Sequence, residues 1–307
     1  MKKHTLADLK PGKKFVIGVP YTWLIVFFAI PFLILVWISF TKNGGVDPFK
    51  TLYSNGTLFL EYDNYLSIFK DTTDPAAKWG DTLFVDAYLR SIKYAFWTTI
   101  LCLGLGYPFA YFIARAKESI RPTLLMMVML PFWTSFLLRV YAWKGILNDD
   151  GVLNRLLMTV GLTNEPIQML YTDISMLIGM TYVYLPFMIL PLYANLVKMD
   201  FRLLEAAYDL GTSPFKAFWL VTVPLSKAGI IAGSMLVFIP ALGEFVIPSL
   251  LAGPDNIMIG RAVWDEMFAA NNWPRATALA VVMIVLILVP LATYYYYSSD
   301  RGQKKGD

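Results

Sequence analysis

Residues 200–224 read DFRLLEAAYDLGTSPFKAFWLVTVP, and the runs on either side are apolar enough to dissolve in lipid. Helical spacing puts Phe201, Leu204 and Tyr208 on one face and Arg202, Glu205 and Asp209 on the opposite one. Asp200 is placed to cap the first helix, and Gly211 suits a left-handed C-terminal stop. Ser213 followed by Pro214 restarts a helix, with a capping hydroxyl and a proline at the first helical position. The second helix places Phe215, Phe218, Trp219 and Thr222 on one stripe, and Pro224 is expected to end it. A loop that only joins two spans has no use for two capped helices. The segment reads as a docking surface; an amphipathic helix lying at the membrane interface without a partner is the alternative.

The composition sets the frame for that loop. Of 307 residues, 57% are hydrophobic and 16% charged, with a mean hydropathy of +0.54. Soluble domains carry about 25% charged residues, so the chain reads as an integral membrane protein. A net charge of +4, dispersed along the chain, gives no nucleic-acid footprint. The single cysteine, Cys102, lies in an apolar run, and the single histidine, His4, lies in a basic stretch. Neither a thiolate metal cluster nor a Ser-His-Asp triad fits that inventory. No G-x-x-x-x-G-K-[ST] sequence occurs, so ATP is not expected to bind through a P-loop of this chain.

Lysines 2, 3, 10, 13 and 14 precede an apolar run over about 15–40. That run is too long for the hydrophobic region of a signal peptide and long enough to cross a bilayer, so it is expected to be the first span, with Pro20 near its start and Pro31 kinking it. Residues 41–87 are polar, with Gly44-Gly45 and Asn55-Gly56 pairs. Within them LEYDNYLSIFK has helical spacing and reads as a short helix, either covering the spans or docking a partner. Five further spans are expected at about 88–114, 122–144, 173–197, 227–251 and 276–297. The organisation expected is residues 1–87 as a tail, first span and extracytoplasmic loop, 88–297 as one membrane domain, and 298–307 as a second tail.

Charge bias orients the spans. The N-terminus, 115–121, 198–227 and the C-terminal tail together hold 15 of the 26 Lys and Arg but 7 of the 22 Asp and Glu. The Lys- and Arg-rich set belongs inside, which makes both termini and the 200–224 loop cytoplasmic. Trp273 and the tyrosines at 294–297 sit where interfacial anchors are expected.

At this point the chain resembles a known family. EAA-x-x-x-G-x9-I-x-L-P is the cytoplasmic motif of permease subunits in bacterial ABC importers, and it stands here as Glu205-Ala206-Ala207, Gly211 and Val221-Thr222-Val223-Pro224. Valines replace the Ile and Leu of the pattern and keep its aliphatic character. The segments PFWTSFLLRVYAW (131–143), YLPFMILPLYANL (184–196) and GSMLVFIPALGEFVIPSLLAGPDNIMIGR (233–261) are similar to the polyamine branch of these permeases, the PotB/PotH branch. The resemblance implies an all-α, six-span type I ABC importer permease in a bacterial inner membrane. It implies a second homologous permease, two copies of an ATPase subunit that bind ATP and Mg, and an extracytoplasmic polyamine-binding protein. It implies that Glu205, Ala206, Ala207, Gly211 and Pro224 belong to the loop that enters a groove on the ATPase. The expected cargo is putrescine, with spermidine or another small solute as the alternative. No cofactor is expected in this chain, no nucleic acid as a partner, and membrane lipid around it.

Two charges fall inside spans. Arg139 and Glu244 each lie 17 residues past a span start, so at about 1.5 Å per residue both are expected in the outer leaflet. Either they form an ion pair that fixes two helices, or Glu244 draws a cationic substrate along a water-filled path. Pro240, Gly243 and Pro248 predict an irregular helix around Glu244. Tyr182, Tyr184, Tyr107 and Tyr111 offer cation–π faces along such a path, or simply pack. A secondary transporter driven by an ion gradient is the rival class; it calls for a relay of embedded carboxylates, and only Glu244 is available.

Overall fold

Pro31 has no N–H to give to the carbonyl four residues back, and the first span absorbs this with a change of turn. In the computed structural model, which describes residues 11–44, 47–50, 53–54, 57–58, 60–70, 79–80, 82–254 and 256–303, α1 (Pro11–Leu24) runs into a single π-turn over Ile25–Ala29, closed by the Ile30 N–H on the Ile25 carbonyl, and continues as α2 (Ile30–Ser39). The wider turn ends two residues before the proline and keeps the helix continuous. The lysines at 2, 3 and 10, His4, the Asn55-Gly56 pair and the side chains of the tyrosines at 294–297 lie outside the described residues.

Two hairpins follow, Lys42–Gly44 (β1) with Asp47–Lys50 (β2) and Tyr53–Ser54 (β3) with Thr57–Leu58 (β4), both antiparallel. The polar segment is therefore not only loop plus one helix, and Gly44 is the last residue of β1. The expected short helix is α3 (Asp63–Phe69), and the structure favours its covering role. Asn64 donates to the carbonyls of Ser39 and Thr41 at 3.0 and 2.8 Å, closing the end of α2, and Tyr65 shares a 2.6 Å hydrogen bond with Ser39.

The middle of the chain runs α4 (Leu83–Arg115), α5 (Arg121–Met129), a 3₁₀ turn over Leu130–Trp133, α6 (Phe136–Leu147), α7 (Val152–Thr159) and α8 (Asp173–Leu196). It continues with α9 (Arg202–Asp209), α10 (Pro214–Ala217), a π-turn over Phe218–Thr222, α11 (Val223–Leu225), α12 (Lys227–Leu242), α13 (Val246–Leu251) and α14 (Ile259–Trp264). A last helix, α15 (Trp273–Gln303), packs on α2 and α3. The chain divides into two units, Leu83–Ala262 and a second made of Met1–Thr82 with Val263–Asp307.

Three helices are long and apolar enough to cross a membrane unbroken: Phe15–Ser39, Leu83–Arg115 and Asp173–Leu196. Two more spans arise if bent pairs are counted as one each, Arg121–Trp133 with Phe136–Thr159 at 86° and Pro214–Leu225 with Lys227–Leu242 at 71°. The sixth expected span corresponds to α15, whose apolar part among the described residues is Trp273–Leu288. The expected third span is thus not one straight helix. Pro131 and the extended backbone of Thr134 and Ser135 break it, so counting residues along it does not give the depth of Arg139. The expected fifth span is straight only to Leu242, as its Pro and Gly content predicts.

The core of the larger unit is the mutual packing of α4, α8 and α12. Its pattern inverts that of a soluble core. Phe96, Trp97, Leu105, Phe109 and Phe112 of α4 face outward, whereas Ala95, Thr98, Cys102, Gly106 and Ala110 face the neighbouring helices. In lipid large apolar residues gain nothing by burial, and small ones let backbones approach. Met188 of α8, fully buried, is wedged between glycines of both neighbours: a Cβ on Gly106 would lie 3.1 Å from its Cγ, and one on Gly233 would lie 2.8 Å from its Sδ. Gly229 meets the Pro191 carbonyl in the same way at 3.0 Å. We expect Gly233→Val to destabilise the subunit by about 1–3 kcal/mol through overpacking. Gly104→Ala, which opens onto empty space, should leave its stability unchanged or raised; thermal unfolding of the purified subunit in detergent checks both.

Candidate functional site

The 71° bend lays the 214–225 helix across the direction of α12, and 200–226 forms a ledge at the end of the three-helix core. Its first helix begins one residue later than expected, with Phe201 rather than Asp200 at the N-cap. Asp200 nevertheless takes the first free N–H: its Oδ1 accepts from the Arg202 backbone at 3.1 Å, and the Arg202 guanidinium closes on both carboxylate oxygens at 2.8–3.2 Å. That side-chain contact holds the exposed Asp200 carboxyl below the usual carboxylate range. The helix ends as its glycine predicts. Gly211 has φ +81°, its N–H reaches the Tyr208 carbonyl at 2.8 Å, and the Thr212 N–H reaches the Ala207 carbonyl at 3.0 Å, a complete Schellman turn. Ser213 then caps α10 by accepting from the Lys216 N–H at 3.5 Å.

Two expectations for the second helix are corrected. Pro224 does not end it: the π-turn at Phe218–Thr222, closed by the Val223 N–H on the Phe218 carbonyl, stands just before the proline, and the helix runs to Leu225. The expected stripe also splits. Phe218 is half-buried and Thr222 buried, whereas Phe215 is 74% and Trp219 54% exposed. Leu210 and Leu220 are exposed beside them, at 87% and 70%. Of the first helix only Leu204 is buried; Glu205 and Ala206 face outward and Ala207 is half-buried. A Cβ on Gly211 would touch nothing within 4 Å, so what this chain asks of that position is only its backbone conformation.

Tyr107 and Tyr111, offered by the sequence as path residues, belong to this ledge. The Tyr107 hydroxyl bonds the Ser226 hydroxyl at 2.7 Å, and its ring meets Phe218 edge-on at 5.2 Å. Tyr111 meets Phe201 and Phe218 edge-on, each at 6.4 Å.

The second candidate region is the break between α12 and α13. Glu244 sits in it, with Oε1 accepting from the backbone N–H groups of Phe245, Val246 and Ile247 at 3.0–3.3 Å and Oε2 accepting from the Tyr184 hydroxyl at 2.5 Å. The carboxylate caps α13 at a place where the helix ladder is interrupted. Among the described residues no ion pair joins it to Arg139. The Arg139 guanidinium instead lies over Phe132 at 5.1 Å and Phe136 at 5.9 Å, and its buried Nε has no hydrogen-bond partner. Phe187 stands between the two charges, edge-on to Phe132 at 5.1 Å and 6.2 Å from Tyr184. Of the two alternatives, the ion pair is not made, and a row of rings lies there instead. Tyr182 does not join it; its ring packs on Trp143 at 5.5 Å and lines an apolar groove of about 350 Å³ with Phe109, Leu124, Pro131 and Pro186. Sequence reading missed Ser226, Phe132 and Phe187. Phe132 and Phe187 lie inside quoted segments, but nothing local distinguishes them from lipid-facing phenylalanines.

A family model, binding-protein-dependent transport system inner membrane component, matches residues 103–303. The chain belongs to this family. Among curated relatives, the Spermidine/putrescine transport system permease protein PotB of Haemophilus influenzae is 37% identical over 284 residues, covering 92% of this chain and 93% of the relative. Among solved structures, a bacterial ABC transporter involved in the import of the acidic polysaccharide alginate superposes with a TM-score of 0.62 at 18% identity, covering 93% of this chain and 94% of that one. The alginate transporter in complex with its pentasaccharide-bound periplasmic protein gives a TM-score of 0.60 at 18% identity, with 90% of each chain covered. This permease therefore has the type I importer fold, is a multi-pass inner-membrane component, and is not itself an enzyme. Its Glu244 cap is testable directly: Glu244→Ala should cost about 1–2 kcal/mol of stability through three orphaned N–H groups. Tyr184→Phe should cost less, because the cap itself survives; melting of the two purified variants checks the order.

Proposed function

We propose that this permease is one of two homologous membrane subunits of a polyamine importer, driven by ATP and Mg on two copies of a separate ATPase subunit. An extracytoplasmic binding protein delivers the cargo, and both termini of a six-span chain face the cytoplasm. The single observation that carries the energy-coupling part is the 200–226 ledge. Its two helices are joined by the Schellman turn at Gly211 and the Ser213 cap, yet Leu210, Phe215, Trp219 and Leu220 are exposed. A stiff ledge with an unburied apolar face fits a groove on a partner. In the cycle, closure of the ATPase pair moves the ledge, and the permeases alternate between outward and inward access.

The polyamine part is supported by the relative similar along almost the whole chain, a permease named for spermidine and putrescine. We take putrescine as the cargo and spermidine as the alternative. Glu244 and Tyr184, with the half-buried rings of Phe132 and Phe187, offer a passing ammonium group a carboxylate and aromatic faces, and Arg139 and Tyr182 flank that region. Reconstituted with its ATPases and binding protein, the complex should take up labelled putrescine when ATP is supplied, and neither a neutral sugar nor an amino acid. Uptake that follows an ion gradient without ATP would overturn the reading. Glu244→Gln should keep the complex assembled and lower polyamine uptake about tenfold, the equivalent of about 1.4 kcal/mol.

At the ledge, Gly211→Asn tests close approach separately from backbone strain. Asparagine tolerates the left-handed conformation but adds a side chain. If the partner comes close, this variant should lose bound ATPase subunits on co-purification while its own level in the membrane stays normal.

A further inference from the structure

We infer that one face of α4, carrying Tyr107, Tyr111 and Arg115, is the receiver that passes movement of the 200–226 ledge to the membrane core, with the Tyr107–Ser226 hydrogen bond as its fixed point. The inference rests on reading the ledge as the ATPase-docking segment. The three residues are spaced four apart, so they stack one above another on a single helix face. Together they meet the ledge at overlapping points from its entry to its bend. Arg115 holds its guanidinium 5.7 Å from the Phe201 ring at the entry to α9 and donates to the Tyr111 hydroxyl at 3.2 Å. Tyr111 meets Phe201 and also Phe218, tying the two helices of the ledge together. Tyr107 meets Phe218 and hydrogen-bonds Ser226, the residue between α11 and α12 at which the chain bends by 71°.

The grip is graded. Tyr107 is 7% exposed and Ser226 fully buried, whereas Arg115 is exposed and held through ring faces. A hydroxyl pair out of water is directional and stiff, and stacking on a ring tolerates sliding. The ledge is therefore fastened firmly at its inner end, next to the bend, and loosely at its outer end. A push on the exposed face of α10 and α11 turns about Ser226 and reaches α4 through Tyr107. Next to it on α4, Gly106 lies against Met188 of α8, and Ala110, about one turn further on, lies in the same packed core. Tyr107 and Ser226 are positioning residues in this scheme; neither touches substrate or nucleotide.

The test uses the complete importer, with ATPase subunits and binding protein, in proteoliposomes. It reads molecules imported per ATP hydrolysed, using labelled putrescine or spermidine, whichever the unaltered complex imports. Tyr107→Phe keeps the ring contacts and removes the hydroxyl. It should lower the ratio about fivefold, as loss of one buried hydrogen bond allows, while the ATPase subunits co-purify as before. Ser226→Ala should do the same and carries the test alone if the first variant does not reach the membrane. The double variant should be no worse than Ser226→Ala alone, which removes the shared bond together with the 3.2 Å bond that the Ser226 hydroxyl donates to the Val223 carbonyl. An unchanged ratio in the single variants, additive losses in the double one, or loss of bound ATPase from Tyr107→Phe complexes would each overturn the inference. Gly211→Val separates the two layers. If it binds ATPase and imports normally, the docking reading fails and the receiver fails with it; if it loses the ATPase while Tyr107→Phe couples normally, only the receiver fails.

Discussion

A peptide N–H in hydrocarbon has no water to turn to, and leaving it without an acceptor costs several kcal/mol. Two irregular places in the spans answer that constraint, and the ledge repeats the first answer. Pro31 and Pro224 stand in the same register relative to a π-turn, two residues past its end, so one wider turn re-pairs the backbone in both helices. The break after α12 is answered differently, by a side chain: one oxygen of Glu244 takes three consecutive N–H groups. A charged residue in the membrane region thus has a structural occupation before any functional one. Its other oxygen, bonded to Tyr184, ties the break to α8.

The second constraint is the absence of a hydrophobic drive between helices already surrounded by lipid tails. Association then depends on contact, and contact depends on small residues. Met188 fills the space that Gly106 and Gly233 leave open on either side of it, which brings α4 and α12 onto α8. The same closeness makes α4 a useful mechanical element. Its buried face is locked into the core, and its last turns carry Tyr107, Tyr111 and Arg115 to the ledge. The ledge and the α12–α13 break thus stand at opposite ends of α12.

Arg139 illustrates how a plausible pairing is lost. Residue counting put it level with Glu244, and in a low-dielectric setting opposite charges at one depth are expected to find each other. The 86° bend at Thr134–Ser135 takes α6 off the line on which that count depends. Glu244 is already committed to four hydrogen bonds, and the guanidinium settles over Phe132 and Phe136 instead. A ring face is a weaker partner than a carboxylate, yet it asks nothing of a carboxylate that the backbone needs more.

What the amino-acid sequence determined by itself is whatever is made by neighbours in the chain. The Schellman turn at Gly211, the Ser213-Pro214 restart, the apolar spans and the irregularity around Glu244 all rest on interactions within a few residues, and each was legible in the letters. The EAA spacing was legible for the same reason. Only the tertiary structure decided which side chains meet across helices, because that depends on the rotation and bending of each helix about its axis. The rotation of the second ledge helix left Phe215 and Trp219 exposed while Thr222 is buried. One sharp break separated Arg139 from Glu244, and the packing of α4 beside the ledge turned Tyr107 and Tyr111 from path candidates into its clasp. Local hydrogen bonding can be read along a chain; the phase of one helix against another cannot.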